Sequence, residues 1–445
     1  MDKIAHHVTV VKLPPKERSW TRIGEALAQA LPEGHHPVRV IAVKADEDRM
    51  WFEASAAVTR RKPVWGSLLK PNPAVGRRRN RFVVVSVIPT GMRAEFGGFC
   101  GDGVPVTNLL SETCDLLITN PNATTASDLY HAGPKVRVLE GNLLCQFLLG
   151  NVNLADQRPR EIAVIIGKPA DEMFLNNVVN AINAMRTVAG LPIHNVLVTR
   201  EAFDIHCTYS EFGHASGEYT DLTPLFEGLD RLAPKAEGVA ISSPMIVSDE
   251  IRRRYYTEND LPNPWGGGEA ILTHTATSFY PLPVTHAPLL GHLDHAMLGT
   301  LGDPRDASEL ISSSYICSVL QGLHMSPRPL ARAEGEAALD PSLVATEDIS
   351  ALVLPGSAVG GLPFFVAMER GIPVILVQEN KTFIGMTPED VGMGDHPGIY
   401  RVSSYAEAAG LLLAMKAGIS YDTITRPVAT VRAEIYGKRE VVAYG

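Results

Sequence analysis

The chain has 445 residues, 45% of them hydrophobic, and a formal net charge of −9, which argues against the basic surface that nucleic-acid binding rests on. No uncharged apolar run reaches the roughly 18–20 residues a membrane-spanning helix needs, and the start, MDKIAHHVTVVKLPPKER, lacks a basic region followed by an apolar one. Five cysteines without a CxxC argue against a disulfide framework or a cysteine-based zinc site, so the expectation is a cytoplasmic, multi-lobed α/β enzyme with no membrane and no nucleic-acid partner.

In chain order, residues 1–58 read as a small α/β unit with a strand over Ala5–Lys12, an amphipathic helix over Trp20–Ala30 and a strand over Val38–Val43. Residues 59–81 form a basic linker in which Arg60, Arg61, Lys62, Lys70, Arg77, Arg78, Arg79 and Arg81 meet no acidic residue. Pro63, Pro71 and Pro73 block regular structure there. Such a stretch either connects two domains or holds an anionic ligand or an acidic neighbouring subunit. The N-terminal unit and this arm need covering surfaces, which points to a homo-oligomer.

Beyond it, short Val/Ile/Leu runs alternate with helical segments. Strands are expected at Phe82–Ile88, Leu116–Thr119, Ile162–Ile166, Asn195–Thr199, Gly238–Ser242, Ala270–Thr273, Ala351–Leu354 and Val374–Val377. Helices are expected at Val104–Thr113, Asp171–Ala189, Leu222–Leu232, Ala307–Gly322, Gly361–Arg370 and Tyr405–Ala417. Apolar strands separated by helices indicate mostly parallel sheets flanked by helices, with ligands outside the strands' carboxyl ends. The division is into a Gly-rich-loop lobe (82–155), a central lobe with a histidine-rich loop (156–345) and a C-terminal segment with a GSAVGG loop (346–445).

Five strand-end segments could carry chemistry. Thr90 and Gly91 end one strand and lead into Gly97, Gly98, Gly101 and Asp102, glycines that let backbone amides approach a carboxylate or phosphate before a helix. Asn120 and Asn122 follow the next strand as neutral polar contacts. In the third, Ser357 lies in Leu354-Pro-Gly-Ser-Ala-Val-Gly-Gly361, with Gly360 and Gly361 before a helix, and Glu379, Asn380, Lys381 and Thr382 arrive at a neighbouring strand end. A Ser357–Lys381 pair with Glu379 orienting the lysine is one route to an activated nucleophile; Ser357 and Lys381 as passive anion ligands is the other. The fourth is the group His274, His286, His292, Asp294 and His295, which could hold a metal ion, although neither HExxH nor H-x-H is present. Within it His286 is the expected general base. The fifth, 206–218, is polar and punctuated by glycine, and reads as a lid or ligand loop. Cys100 and Cys207 could act as nucleophiles, though cysteine is more often a small buried hydrophobe.

The run PTGMRAEFGGFCGDGVPVTNLLSETCDLLITNPN, with THAP at 285–288, ALVLPGSAVGG at 351–361 and VILVQENKT at 374–382, resembles the DUF3326 family of bacterial and plastid proteins, whose name records an unassigned function. The resemblance covers roughly residues 82–420. It implies a common site at Thr90, Gly91, Gly97, Gly98, Gly101, Asp102, Asn122, His286, Glu379, Asn380 and Thr382. The chain departs from the pattern at Asn120, where His is expected, and at Lys381, where Arg is expected.

The functional expectation is an enzyme acting, by hydrolysis, on a small anionic or cyclic-amide substrate, with no cofactor and a metal ion as an option. Two other readings use the same residues. One is a transferase binding phosphate or a nucleotide sugar, in the manner of two-lobed glycosyltransferases. The other is a metal-dependent hydrolase or lyase built on His274, His286, His292 and Asp294.

Overall fold

The computed structural model describes residues 2–73, 76, 78, 81–99, 101–125, 127–219, 221–258, 261–289, 301–335, 340–431 and 433. It is a mixed α/β structure with two six-stranded sheets, mostly parallel and flanked by helices, and two small three-stranded antiparallel sheets. Among the described residues no helix is long and apolar enough to cross a membrane.

The first large sheet is bipartite. Its order runs Ile399–Val402, Val374–Val377, Ile349–Pro355, Val83–Ser86, Leu116–Thr119, Val136–Val138, all parallel. The stretches 82–155 and 346–445, set apart in the sequence division, therefore share one sheet. Val83–Ser86, Leu116–Thr119 and Val374–Val377 are buried at every position, the condition that makes parallel strands read as unbroken apolar runs.

The central sheet is ordered Ala215–Tyr219, Ile205–Tyr209, Gly238–Ile246, Ile162–Ile166, Ile193–Val198, with Val284–Leu289 also pairing with Gly238–Ile246. Only the hairpin of Ile205–Tyr209 and Ala215–Tyr219 is antiparallel. The segment 206–218 is thus not a lid loop: Gly213 carries its turn at φ 84°.

Two other expectations are corrected. Ala270–Thr273 is not a strand but part of the helix Pro264–Phe279, with Asn263 as its N-cap and proline at its first position. Twelve of that helix's sixteen residues are buried, so no polar face betrays the 3.6-residue period. Ala307–Gly322 divides into Ala307–Ile311 and Ile316–His324 around Tyr315, whose φ of 56° breaks the helix.

The N-terminal unit has a third strand, Arg49–Val58, which pairs antiparallel with both Lys3–Lys12 and His35–Ala45. This sheet bridges the two lobes. Ala42 N donates to Gly360 O (2.8 Å), where a Cβ on Gly360 would overlap the Ala42 carbonyl. On the other lobe, Arg39 donates to Ala215 O (2.9 Å), and His214 pairs with Glu53 (2.9 Å). The second small sheet pairs Val152–Ala155 with Arg328–Ala331 and Leu343–Val344. In the basic stretch, Arg61 binds Asp230, Lys70 binds Glu334 and Arg78 binds Asp348, at 2.7–3.1 Å; Arg77 and Arg79 lie outside the described residues.

Candidate functional site

Carboxyl ends of strands from both large sheets converge on a cavity of about 410 Å³. Thr90, Gly98 and Phe99 follow the strand Val83–Ser86, Asn120, Asn122 and Thr125 follow Leu116–Thr119, and Glu140 follows Val136–Val138. The facing wall is Met245, Trp265, Glu269, Thr273, His274, Thr285 and His286 from the central sheet and the helix Pro264–Phe279. Helix and sheet approach closely there because a Cβ on Gly267 would overlap the Ala215 backbone.

Within that wall stands a chain of three side chains. Ser243, on Gly238–Ile246, is 2.8 Å from His286 Nε2, and His286, on the adjacent parallel strand, is 3.0 Å through Nδ1 from Glu269 Oε1. The register pairs Ile241 with His286, so Ser243 lies two residues further along on the same face. An ionised Glu269 accepts only, so Nδ1 carries the proton and Nε2 accepts from the Ser243 hydroxyl. The order is that of a Ser–His–acid relay, but access is reversed. Ser243 and the His286 side chain are fully buried, whereas the Glu269 side chain is 26% exposed and lines the cavity. Among the described residues, its second carboxylate oxygen has no hydrogen-bond partner. Thr285, next to His286 on the strand, turns its side chain to the other face, where its hydroxyl is buried without a partner.

A second carboxylate, Glu140, is saturated. It accepts from Asn142 N (2.9 Å), Leu143 N (3.1 Å), the Thr277 hydroxyl (2.7 Å) and the Thr273 hydroxyl (3.2 Å), and lies 3.3 Å from His274 Nε2. His274 sits in mid-helix rather than at a strand end, with Nδ1 on Val38 O (3.1 Å). Burial pushes its pKa down while Glu140 acts to raise it. His274 and His286 thus belong to separate clusters. His292, Asp294 and His295 lie outside the described residues, as does Cys100, and among the described ones no group of three or more His, Cys, Asp or Glu is placed to hold a metal ion. Cys207 is buried, which pushes its thiol pKa far up.

Of the other residues expected at a site, Thr90, Gly98, Asn120 and Asn122 line the cavity. Asn120 exchanges both amide bonds with the Ile88 backbone (2.8 and 3.0 Å), and Asn122 donates to Gly97 O (2.5 Å). Gly91 is just behind, its carbonyl accepting from Ala215 N (3.1 Å). Gly97 and Gly101 take positive φ in the following loop. There Asp102 Oδ1 accepts from Gly97 N (2.8 Å) and Phe99 N (3.2 Å), and burial pushes the Asp102 pKa up to about 7.

Ser357, Gly360, Gly361, Glu379, Asn380, Lys381 and Thr382 do not line the cavity; they follow the other half of the bipartite sheet. Ser357 Oγ is 2.8 Å from Thr382 Oγ1 and accepts from Thr382 N (3.0 Å). Asn380, fully buried, accepts from Phe96 N (3.0 Å) and donates to Phe96 O (3.1 Å) and Tyr405 OH (2.7 Å). Glu379 accepts from Tyr405 N (2.9 Å) at the start of the helix Tyr405–Lys416, and the Lys381 side chain is exposed. Ser243 and Glu269 escaped sequence reasoning. Their only trace was a pair of serines closing an apolar strand, and the positions 243, 269 and 286 follow no period because two strands and a helix supply them.

An uncharacterized lipoprotein of Synechococcus sp. is 26% identical over 338 residues, 75% of this chain and 91% of that protein. No solved structure matches the chain. Residues 83–425, which contribute every described wall of the cavity, match the model of the family described as "Protein of unknown function (DUF3326)", and the chain belongs to that family.

Proposed function

We propose that this protein is an enzyme acting on a small polar molecule by general acid–base catalysis, hydrolysing an amide, with Glu269 as the base. The observation that carries this reading is that Glu269 is the accessible end of the chain Ser243–His286–Glu269 in a cavity at strand ends. Glu269 takes a proton from water as its oxygen attacks the amide carbon. The protonated carboxyl then gives that proton to the departing nitrogen as the C–N bond breaks, leaving a carboxylic acid and an amine. His286, donating through Nδ1, fixes the carboxylate's orientation, and Ser243 fixes the ring. His286 and Ser243 are positioning residues in this scheme. A positioned acid–base group contributes about 10²–10⁴-fold in rate.

The test is hydrolysis of a panel of small linear and cyclic amides, with and without a basic substituent, followed by release of amine or ammonia. At least one member is turned over by the wild-type protein, and Glu269→Gln lowers that turnover about a thousandfold. Undiminished turnover in Glu269→Gln overturns the assignment.

A further inference from the structure

Glycine-rich loops and helix N-termini around a cavity ordinarily advertise an anion site, because their backbone N–H groups point outward. Here the protein's own side chains occupy those donors. Asp102 takes Gly97 N and Phe99 N, while Glu140 takes Asn142 N and Leu143 N at the start of the helix Gly141–Leu148. Asn263 takes Trp265 N and Gly266 N at the start of Pro264–Phe279, and Asn120 takes Ile88 N. Two of the four capping groups are carboxyls, so an arriving anion would meet an acid where it needs an amide.

The rest of the described lining points the same way. Its carboxylates are Glu140, Glu269 and Glu309; its only guanidinium is Arg252, which lies 2.6 Å from Asp249. Glu309 accepts from Tyr256 OH at 2.9 Å. Beside it the rings of Tyr256 and Trp265 pack with centroids 6.1 Å apart, presenting the kind of aromatic surface that favours a cation over an anion. The independent sign of a ligand is Glu269 itself, whose second carboxylate oxygen stands at the cavity wall without a hydrogen-bond partner among the described residues.

Building on the reading of Glu269 given above, we infer that the cavity binds a small organic cation, an amine or a guanidine, with an N–H group on the unpartnered oxygen of Glu269 and its body against Trp265 and Tyr256. Size-matched probes test this by isothermal titration calorimetry on the full chain: butylguanidinium, pentanamide and pentanoate. Butylguanidinium binds at least about tenfold more tightly than pentanamide, and pentanoate more weakly still. Glu269→Gln, close in shape, cuts the butylguanidinium affinity about tenfold and leaves that of pentanamide within about twofold. Pentanoate binding as tightly as butylguanidinium, no binding by any of the three, or a cation affinity indifferent to Glu269→Gln overturns the inference. Thermal stabilisation of the wild-type protein by the same three probes gives a ranking that does not depend on how the variant folds. Cation binding alongside undiminished turnover in Glu269→Gln removes the catalytic role and keeps the ligand class; loss of turnover without cation preference does the reverse.

Discussion

Two strand-end regions of this molecule carry the residue types that catalysis uses, and they spend them differently. Around 356–382, Ser357, Glu379, Asn380 and Thr382 turn inward on the backbone of their own loops and of the neighbouring helix. Around the cavity, Ser243 and His286 are also satisfied by each other, but the series ends on a carboxylate with one oxygen left for a visitor. A polar cluster therefore marks a site by what it leaves unspent beside a cavity. Its richness in Ser, Lys, Glu and Asn says little, since such residues also close loops.

That contrast is open to attack by mutation. The largest effect is expected at the cavity: His286→Ala lowers turnover about a hundredfold or more, while Ser357→Ala and Lys381→Met change it less than about threefold, as measured by steady-state kinetics. Equal losses at both places would erase the distinction. Next comes stability. Asn380→Ala strands a buried N–H and the Tyr405 hydroxyl and costs about 2–4 kcal/mol in urea unfolding, without altering ligand affinity in the surviving folded protein.

A smaller, pH-dependent effect separates the loop 97–103 from both regions. The Asp102 pKa rises from 3.8 to about 7 on folding, because burial disfavours its charge. Its stabilising contribution is complete below pH 3.8 and is lost as pH climbs to about 7. Asp102→Asn keeps an acceptor for Gly97 N and Phe99 N and cannot ionise. The variant is therefore more stable than wild type at pH 8, by about 1–3 kcal/mol, and its melting temperature varies less between pH 4 and 7. The smallest effect is Glu379→Gln, which weakens one helix cap and costs about 0.5–1 kcal/mol in the same unfolding assay.

Much of the fold was legible because buried parallel strands print themselves as apolar runs: Leu116–Thr119, Ile162–Ile166 and Val374–Val377 stand where that pattern puts them. The helix Pro264–Phe279 was not legible, since burial on nearly every side erases the alternation that marks a helix. The pairing of 82–155 with 346–445 in one sheet was hidden too, because no local pattern records which strands meet across two hundred residues. Of the site, His286 could be singled out as an imidazole near a strand end. Glu269 could not, for its meaning depends on a strand that follows it and another that precedes it.

The N-terminal sheet lies ahead of the stretch that defines the family, yet Trp20, Ile23, Leu27 and Phe52 share one apolar core with Leu352, Phe364 and Phe365. Cutting the chain at residue 83 would bare that seam and leave Phe364 and Phe365 facing water, a greasy scar apt to stick to other molecules. The first eighty or so residues thus act as a built-in brace, and a fragment made to study the family region alone would need a substitute for it.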